Sequence, residues 1–208
     1  VVKAKGHVPF LDMAYQGFGQ SLEQDAYAIH ALDRSGMNFI VSHSFSKIFS
    51  LYGERVGSLS FVCDDANIAQ NVLGQLKATV RRIYSSPAAN GALLVSQVLN
   101  DTALTQLWQS ELEEMRQRIL LMRRLLEDKL SQALPDMDFS YLTQQQGMFS
   151  YTGLSAEQVD LLKHDYGIYL VRSGRMCTAG LNLNNIDYVA ESMATVLKAA
   201  SSTESVFA

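Results

Sequence analysis

The stretch Phe39-Ile40-Val41-Ser42-His43-Ser44-Phe45-Ser46-Lys47 decides how this chain folds and what it can hold. Phe39-Ile40-Val41 is a compact apolar run of the kind that forms a buried strand. The hydroxyls of Ser44 and Ser46 and the amine of Lys47 follow it, and Arg55 comes soon after. A lysine amine can form a Schiff base with an aldehyde. Hydroxyls and a guanidinium can together neutralise a phosphate dianion, and arginine can bond it bidentately. The stretch therefore suits a ligand that carries both an aldehyde and a phosphate.

Upstream, residues 9–14 read as a short strand ending near Asp12, and 21–34 as a helix with Leu22, Ala26, Ile29 and Leu32 near helical spacing. Gly36 stops that helix. Strand, helix and strand in this order predict a right-handed unit with parallel strands. Asp12 and Lys47 then fall near the carboxyl ends of neighbouring strands, the edge where open α/β sheets hold ligands. Leu59-Ser60-Phe61-Val62 reads as another strand of the same sheet, followed by helices at 65–80 and 88–100. Pro87 suits the entry to the second of these.

Asp12 names the ligand's third requirement. Pyridoxal phosphate is an electron sink only while its ring nitrogen is protonated, and a carboxylate beside that nitrogen holds it cationic. Tyr15 could donate its phenol to the ring oxygen O3′. Taken alone, an aspartate closing a strand is more often a turn or capping residue, a tyrosine ordinary packing, and a lysine near a strand end a solvated side chain. Arg175, in Ser173-Gly174-Arg175, suits a substrate α-carboxylate. Arg81 and Arg82 fit either a second substrate carboxylate or an exposed helix end.

From Thr102 to Leu134 the apolar positions Leu104, Trp108, Leu112, Met115, Ile119, Met122, Leu126 and Leu130 form one helical stripe. Asp101 can cap it and Pro135 ends it. Such a helix is about 50 Å long and either ties two domains together or runs through one core. Beyond it the texture is α+β. Phe139-Ser140-Tyr141-Leu142, Met148-Phe149-Ser150-Tyr151, Ile168-Tyr169-Leu170-Val171 and Met176-Cys177-Thr178 read as strands. Ser155 to Gln158 is a capping box opening a helix that ends near Gly167, and a last helix covers about 185–199.

Composition bounds the rest. With 208 residues, 48% hydrophobic and 18% charged, the chain can bury a core. A net charge of −4 and the absence of a long basic run argue against a nucleic-acid surface. Cys63 and Cys177 read as reduced, buried thiols, and His7, His30, His43 and His164 have no metal-ligand spacing. No apolar run reaches a membrane span, and no signal-peptide layout opens the chain. A cytoplasmic location is expected. The chain begins at Val1 and runs almost at once into a buried strand, which predicts a piece of a longer protein.

Six motifs give this reading a family. Asp12-Met13-Ala14-Tyr15-Gln16-Gly17-Phe18, Ser44-Phe45-Ser46-Lys47, Leu51-Tyr52-Gly53-Glu54-Arg55-Val56-Gly57, Tyr84-Ser85-Ser86-Pro87, Gly147-Met148-Phe149-Ser150-Tyr151 and Ser173-Gly174-Arg175 occur in order. They resemble the second half of a class I aminotransferase of the aspartate/aromatic group, and the wording around Lys47 is nearest the bacterial aromatic members. The resemblance implies an aspartate aminotransferase-type α/β fold: residues 1–114 as the C-terminal part of the large cofactor domain, and 115–208 as a small α+β domain, with a linking helix at about 102–134. It implies pyridoxal phosphate as cofactor, with Lys47 bonded to it, Asp12 at the pyridine nitrogen, Tyr15 at O3′, and Ser44, Ser46 and Arg55 on the phosphate. Arg175 would take the substrate α-carboxylate. Arg81 would reach across a homodimer to a side-chain carboxylate, and Tyr151 would line the substrate side of the small domain. Aromatic amino acids with 2-oxoglutarate are the expected substrates, aspartate a further one, and a lyase reaction or a non-catalytic packing module the alternatives. The missing first half would leave sheet edges and apolar surface open and the chain alone inactive.

Overall fold

The computed structural model describes the backbone of residues 1–204 and the side chains of residues 1–199. The chain divides into two compact units, Val1–Glu113 and the residues from Glu114 onward.

The first unit is built on a small sheet. Strand β1 covers Phe10–Met13; a 3₁₀ turn at Gln24–Ala26 leads into helix α1, Tyr27–Arg34, and β2 follows at Phe39–Ser44. The two strands are parallel, with Asp12 opposite Ser42, as the strand–helix–strand order requires. Strand β3, Gly57–Val62, joins the other side of β2 antiparallel, so the sheet order is β1-β2-β3. Phe39 and Val41 point into the core at 1% and 7% exposure, while Phe10 on β1 and Leu59 on β3 are 63% and 50% exposed. Helices α2, Ala66–Tyr84, and α3, Asn90–Asn100, come next. Asp65 caps α2 by accepting from the backbone N–H groups of Asn67 and Ile68, yet none of the nineteen residues of α2 is buried.

Helix α4, Thr102–Ala133, supplies its first residues to this unit and the rest to the second. In the first unit Leu112 is buried, and the Trp108 indole donates to the Ile48 carbonyl at 2.7 Å while stacking on Phe49. Leu112 also explains Gly17, whose φ is +89° and where a Cβ would sit 2.6 Å from the leucine side chain. Asp25 fixes the same loop by accepting from the N–H groups of Gly17, Gly19 and Gln20.

The second unit packs α4 against later helices. Ile119, Met122, Leu126 and Leu130 are at most 2% exposed, so the helical stripe read from the sequence is the buried face here. Helix α5, Tyr141–Gln144, strand β4, Phe149–Tyr151, helix α6, Ala156–Tyr166, strand β5, Arg175–Cys177, and helix α7, Ile186–Glu204, complete it. Met122, Leu126, Leu130, Leu162, Ile186 and Met193 belong to one apolar cluster. The capping box at Ser155 and Gln158 is formed, and Gly167 ends α6 in the left-handed region.

Two expected strands are not strands. Phe139-Ser140-Tyr141-Leu142 turns into α5, because the Asp138 carboxylate accepts from the Ser140 N–H and bends the chain. Phe139 and Leu142 both remain buried, at helical rather than alternating spacing. Ile168 to Val171 is also unpaired. Val171 instead takes part in a turn, donating to the Arg175 carbonyl and accepting from the Gly174 N–H. Both cysteines are free thiols, but Cys177 is exposed and Cys63 half-buried, since β5 turns only Met176 inward.

Candidate functional site

In the first unit the carboxyl end of β2 and its neighbours form a cleft of about 400 Å³. Asp12, Ser44, Ser46, Arg55 and Gly57 line it, so four of the residues singled out in the sequence share one space. The parallel register puts Ser42 beside Asp12, and its hydroxyl donates to Asp12 Oδ1 at 3.0 Å. That bond orients the carboxylate and leaves its other oxygen to accept elsewhere. The hydroxyl of Ser44 accepts from the Ser46 N–H at 3.3 Å, which keeps its own proton for a ligand. Ser46 is itself 6% exposed.

Arg55 sits at φ +52°, the left-handed region, and one terminal nitrogen donates to the Tyr52 carbonyl at 2.8 Å. A non-glycine residue there carries backbone strain on the order of 1–3 kcal/mol, which the loop sustains while aiming the guanidinium at the cleft. Gly57 closes the wall: a Cβ there would lie 2.6 Å from the His43 carbonyl oxygen. Anionic ligands fit this corner, with two hydroxyls and a guanidinium facing them.

Lys47 follows β2 on a segment pinned by the Trp108–Ile48 bond. Its Nζ lies 4.8 Å from the ring centres of both Tyr15 and Tyr52. Two aromatic faces hold the cation in a fixed direction. Neither Lys47 nor Tyr15 is among the cleft-lining residues, and Tyr52 is a neighbour of Lys47 to which the sequence assigns no role. His43 also lines the cleft, unforeseen. Its Nε2 is buried without a hydrogen-bond partner among the described atoms, and burial pushes the imidazole below its ordinary pKa.

Arg81 is not among the cleft-lining residues. It stands near the end of α2, where its guanidinium donates to the Ser85 hydroxyl at 2.7 Å. Arg175 and Tyr151 belong to the second unit. They face each other across the β4–β5 ladder, and Arg175 Cζ is 5.0 Å from the Phe149 ring centre. Gly174 precedes Arg175 at φ +83°, with the Leu154 carbonyl 2.9 Å from where a Cβ would be. A larger residue would displace the strand that carries Arg175.

Arg123 on α4 is 2% exposed, and its hydrogen-bond partners among the described residues include no carboxylate. Its terminal nitrogens donate to the carbonyls of Leu142, Gly147 and Phe149 and to the Ser150 hydroxyl, and burial lowers its pKa.

Comparison with known proteins adds an independent line. Residues 1–193 match the family described as aminotransferase class I and II. An aromatic-amino-acid aminotransferase of Escherichia coli strain K12 is 59% identical over 197 residues, which is 95% of this chain and 50% of that protein. A psychrophilic aromatic amino acids aminotransferase from Psychrobacter sp. B6, cocrystallised with aspartic acid, superposes with a TM-score of 0.93 at 50% identity, covering 95% of this chain and 50% of that one. An aromatic-amino-acid aminotransferase from Burkholderia pseudomallei, covalently bound to pyridoxal phosphate, gives a TM-score of 0.92 at 50% identity over 94% of this chain and 49% of its own. The chain spans about half the length of the curated relatives it matches.

Proposed function

Since the chain belongs to the class I and II aminotransferases, we propose that it is the cofactor- and carboxylate-binding part of an aromatic-amino-acid aminotransferase that works with pyridoxal phosphate. The observation that carries the reading is the single cleft shared by Asp12, Ser44, Ser46 and Arg55, with Lys47, the next residue after Ser46, held between Tyr15 and Tyr52. Its donor set fits a phosphate, and its carboxylate fits a protonated ring nitrogen.

Each residue then has a task. Ser44, Ser46 and Arg55 would hold the phosphate dianion. Asp12, oriented by Ser42, would keep the ring nitrogen protonated. Tyr15 would donate to the ring oxygen. Bound there, the cofactor supplies an electron sink for the bond broken at the substrate α-carbon. Lys47 would bond the cofactor at rest, and its freed amine would carry the proton to and from the α-carbon, a task worth on the order of 10²–10⁴-fold. Arg175 would take the α-carboxylate, with Tyr151 on the substrate side.

Tyrosine and phenylalanine, with 2-oxoglutarate as acceptor, are the proposed substrates. The cocrystallisation of the Psychrobacter relative with aspartic acid favours a second, dicarboxylic class. Arg81 would meet the extra carboxylate from the other subunit of a homodimer. The remaining parts of the reading are a cytoplasmic location and an otherwise inactive 208-residue chain that works only beside the other half its relatives possess. No helix among the described residues is long and apolar enough to cross a membrane.

The test uses the protein assembled with that other half. Lys47→Ala should abolish both the cofactor's bound absorbance band and turnover of tyrosine with 2-oxoglutarate. Retained turnover would remove Lys47 from its role.

A further inference from the structure

Among the described residues strand β4 has only one strand beside it. It pairs with β5 through Phe149–Cys177, Ser150–Met176 and Tyr151–Arg175, and its other edge faces no backbone ladder. An open edge leaves N–H and C=O groups unpaired and the strand free to shift. Here two side chains take the place of a third strand. The Gln145 amide accepts from the Tyr151 N–H at 2.7 Å and donates to the Tyr151 carbonyl at 3.0 Å, the donor–acceptor pair a neighbouring peptide would offer. Its oxygen also accepts from the Ser150 hydroxyl. Two residues earlier, Arg123 donates to the Phe149 carbonyl at 2.6 Å and to the Gly147 carbonyl, while its other terminal nitrogen holds Ser150 and Leu142.

The arrangement bears on Arg175 because its surroundings hang from β4. Its direct ladder partner is Tyr151, and its guanidinium lies over the Phe149 ring. Both are residues whose backbone the two side chains grip. Among the described residues the hydrogen bonds of Gln145 and Arg123 go to Leu142, Gly147, Phe149, Ser150 and Tyr151 and not to Arg175, so their reach to it runs through the strand.

We propose that Gln145 and Arg123 are positioning residues that substitute for a missing third strand and thereby set Arg175 for a substrate carboxylate. The inference rests on the proposed function for the identity of that carboxylate. Because Arg123 bridges α4, α5 and β4 from inside the core, replacing it endangers the fold. Gln145 is the better probe, since it is only half-buried and its neighbours remain.

The experiment measures binding of 3-phenylpropanoate, which has a carboxylate and a ring but no amine to react, to the assembled protein by calorimetry. Turnover of tyrosine is followed in parallel. Gln145→Leu should raise the dissociation constant and the tyrosine KM about tenfold, the equivalent of roughly 1.4 kcal/mol, with kcat within about twofold. Gln145→Glu keeps the acceptor for the Tyr151 N–H and loses the donor, so it should fall between. Amide exchange at Tyr151 should quicken in Gln145→Leu while exchange in α7 stays as it was. Unchanged binding and KM in Gln145→Leu overturn the proposal. So does a loss of kcat together with faster exchange in α7, which would mark a purely structural residue. If the unaltered protein binds the probe and fails to transaminate, the functional reading falls, and the effect of Gln145→Leu on binding still decides this proposal. If the unaltered protein does not bind the probe, Arg175 is not a carboxylate site and the proposal falls with it.

Discussion

His43 is half-buried, with its Nε2 shut from solvent and without a partner among the described atoms. His43 is pushed below its ordinary pKa of 6.5 by burial alone, with no charged partner among the causes. The unfolded chain therefore takes up this proton at a higher pH than the folded one. Stability rises with pH wherever the unfolded state holds more protons, so it should fall as pH drops through 6.5 and level off below the folded value. Urea unfolding of the 208-residue chain between about pH 7.5 and 5.5 checks this. His43→Asn should flatten the slope, and an unaltered slope would place the acid sensitivity elsewhere. Much of the site is legible at the scale of single residues, because Ser44, Ser46, Lys47 and Arg55 lie on one short stretch. The partners of these residues were not. Ser42 beside Asp12 depends on the strand register, and Tyr52 against Lys47 on the path of a loop. His43 reads as an ordinary strand residue until its burial is seen.

Elements announce themselves when their ends carry their own chemistry. Helix α6 has a Ser155 hydroxyl accepting from the Gln158 N–H, a Gln158 side chain returning the bond, and a left-handed Gly167 at its exit. Ser155→Ala should destabilise the second unit by about 1 kcal/mol, read as a shift in its thermal or urea midpoint. A change below a few tenths would mean that solvent replaces the cap. Where end signals are absent the sequence misleads. Phe139-Ser140-Tyr141-Leu142 alternates in polarity like a strand, but Asp138 turns the backbone and the two apolar residues reach the core from α5. Ile168 to Val171 has the β-branched and aromatic content of a strand and no neighbour to pair with. Pattern reports which residues want burial; pairing needs a partner, and that comes from elsewhere in the chain. The same limit hides Gln145, an unremarkable glutamine until β4 lies against it.

At the scale of the whole molecule, the two units are unequally furnished. The second has one cluster that joins α4, α6 and α7 through residues such as Leu130 and Leu162, both at 0% exposure. The first relies on fewer buried side chains, and α2 runs nineteen residues without burying one. Local opening is easiest where few apolar contacts hold a helix. In the isolated chain, amides of α6 and α7 should exchange more slowly than those of α2, by at least about tenfold at neutral pH. Equal protection would show that α2 has cover unaccounted for by its contacts within this chain. Leu59 and Phe10 are exposed on the two outer strands of a sheet that, among the described residues, is open on both sides.

The left-handed backbone at position 55 sets folding against purpose. Glycine would rest there without strain, whereas arginine is held in a conformation it disfavours. A laboratory lineage rewarded only for robustness would drift toward glycine at this position and discard the guanidinium. One rewarded for growth on an amino-nitrogen source would keep the arginine and tolerate the weaker loop. Which residue survives at this one position would reveal which pressure had acted.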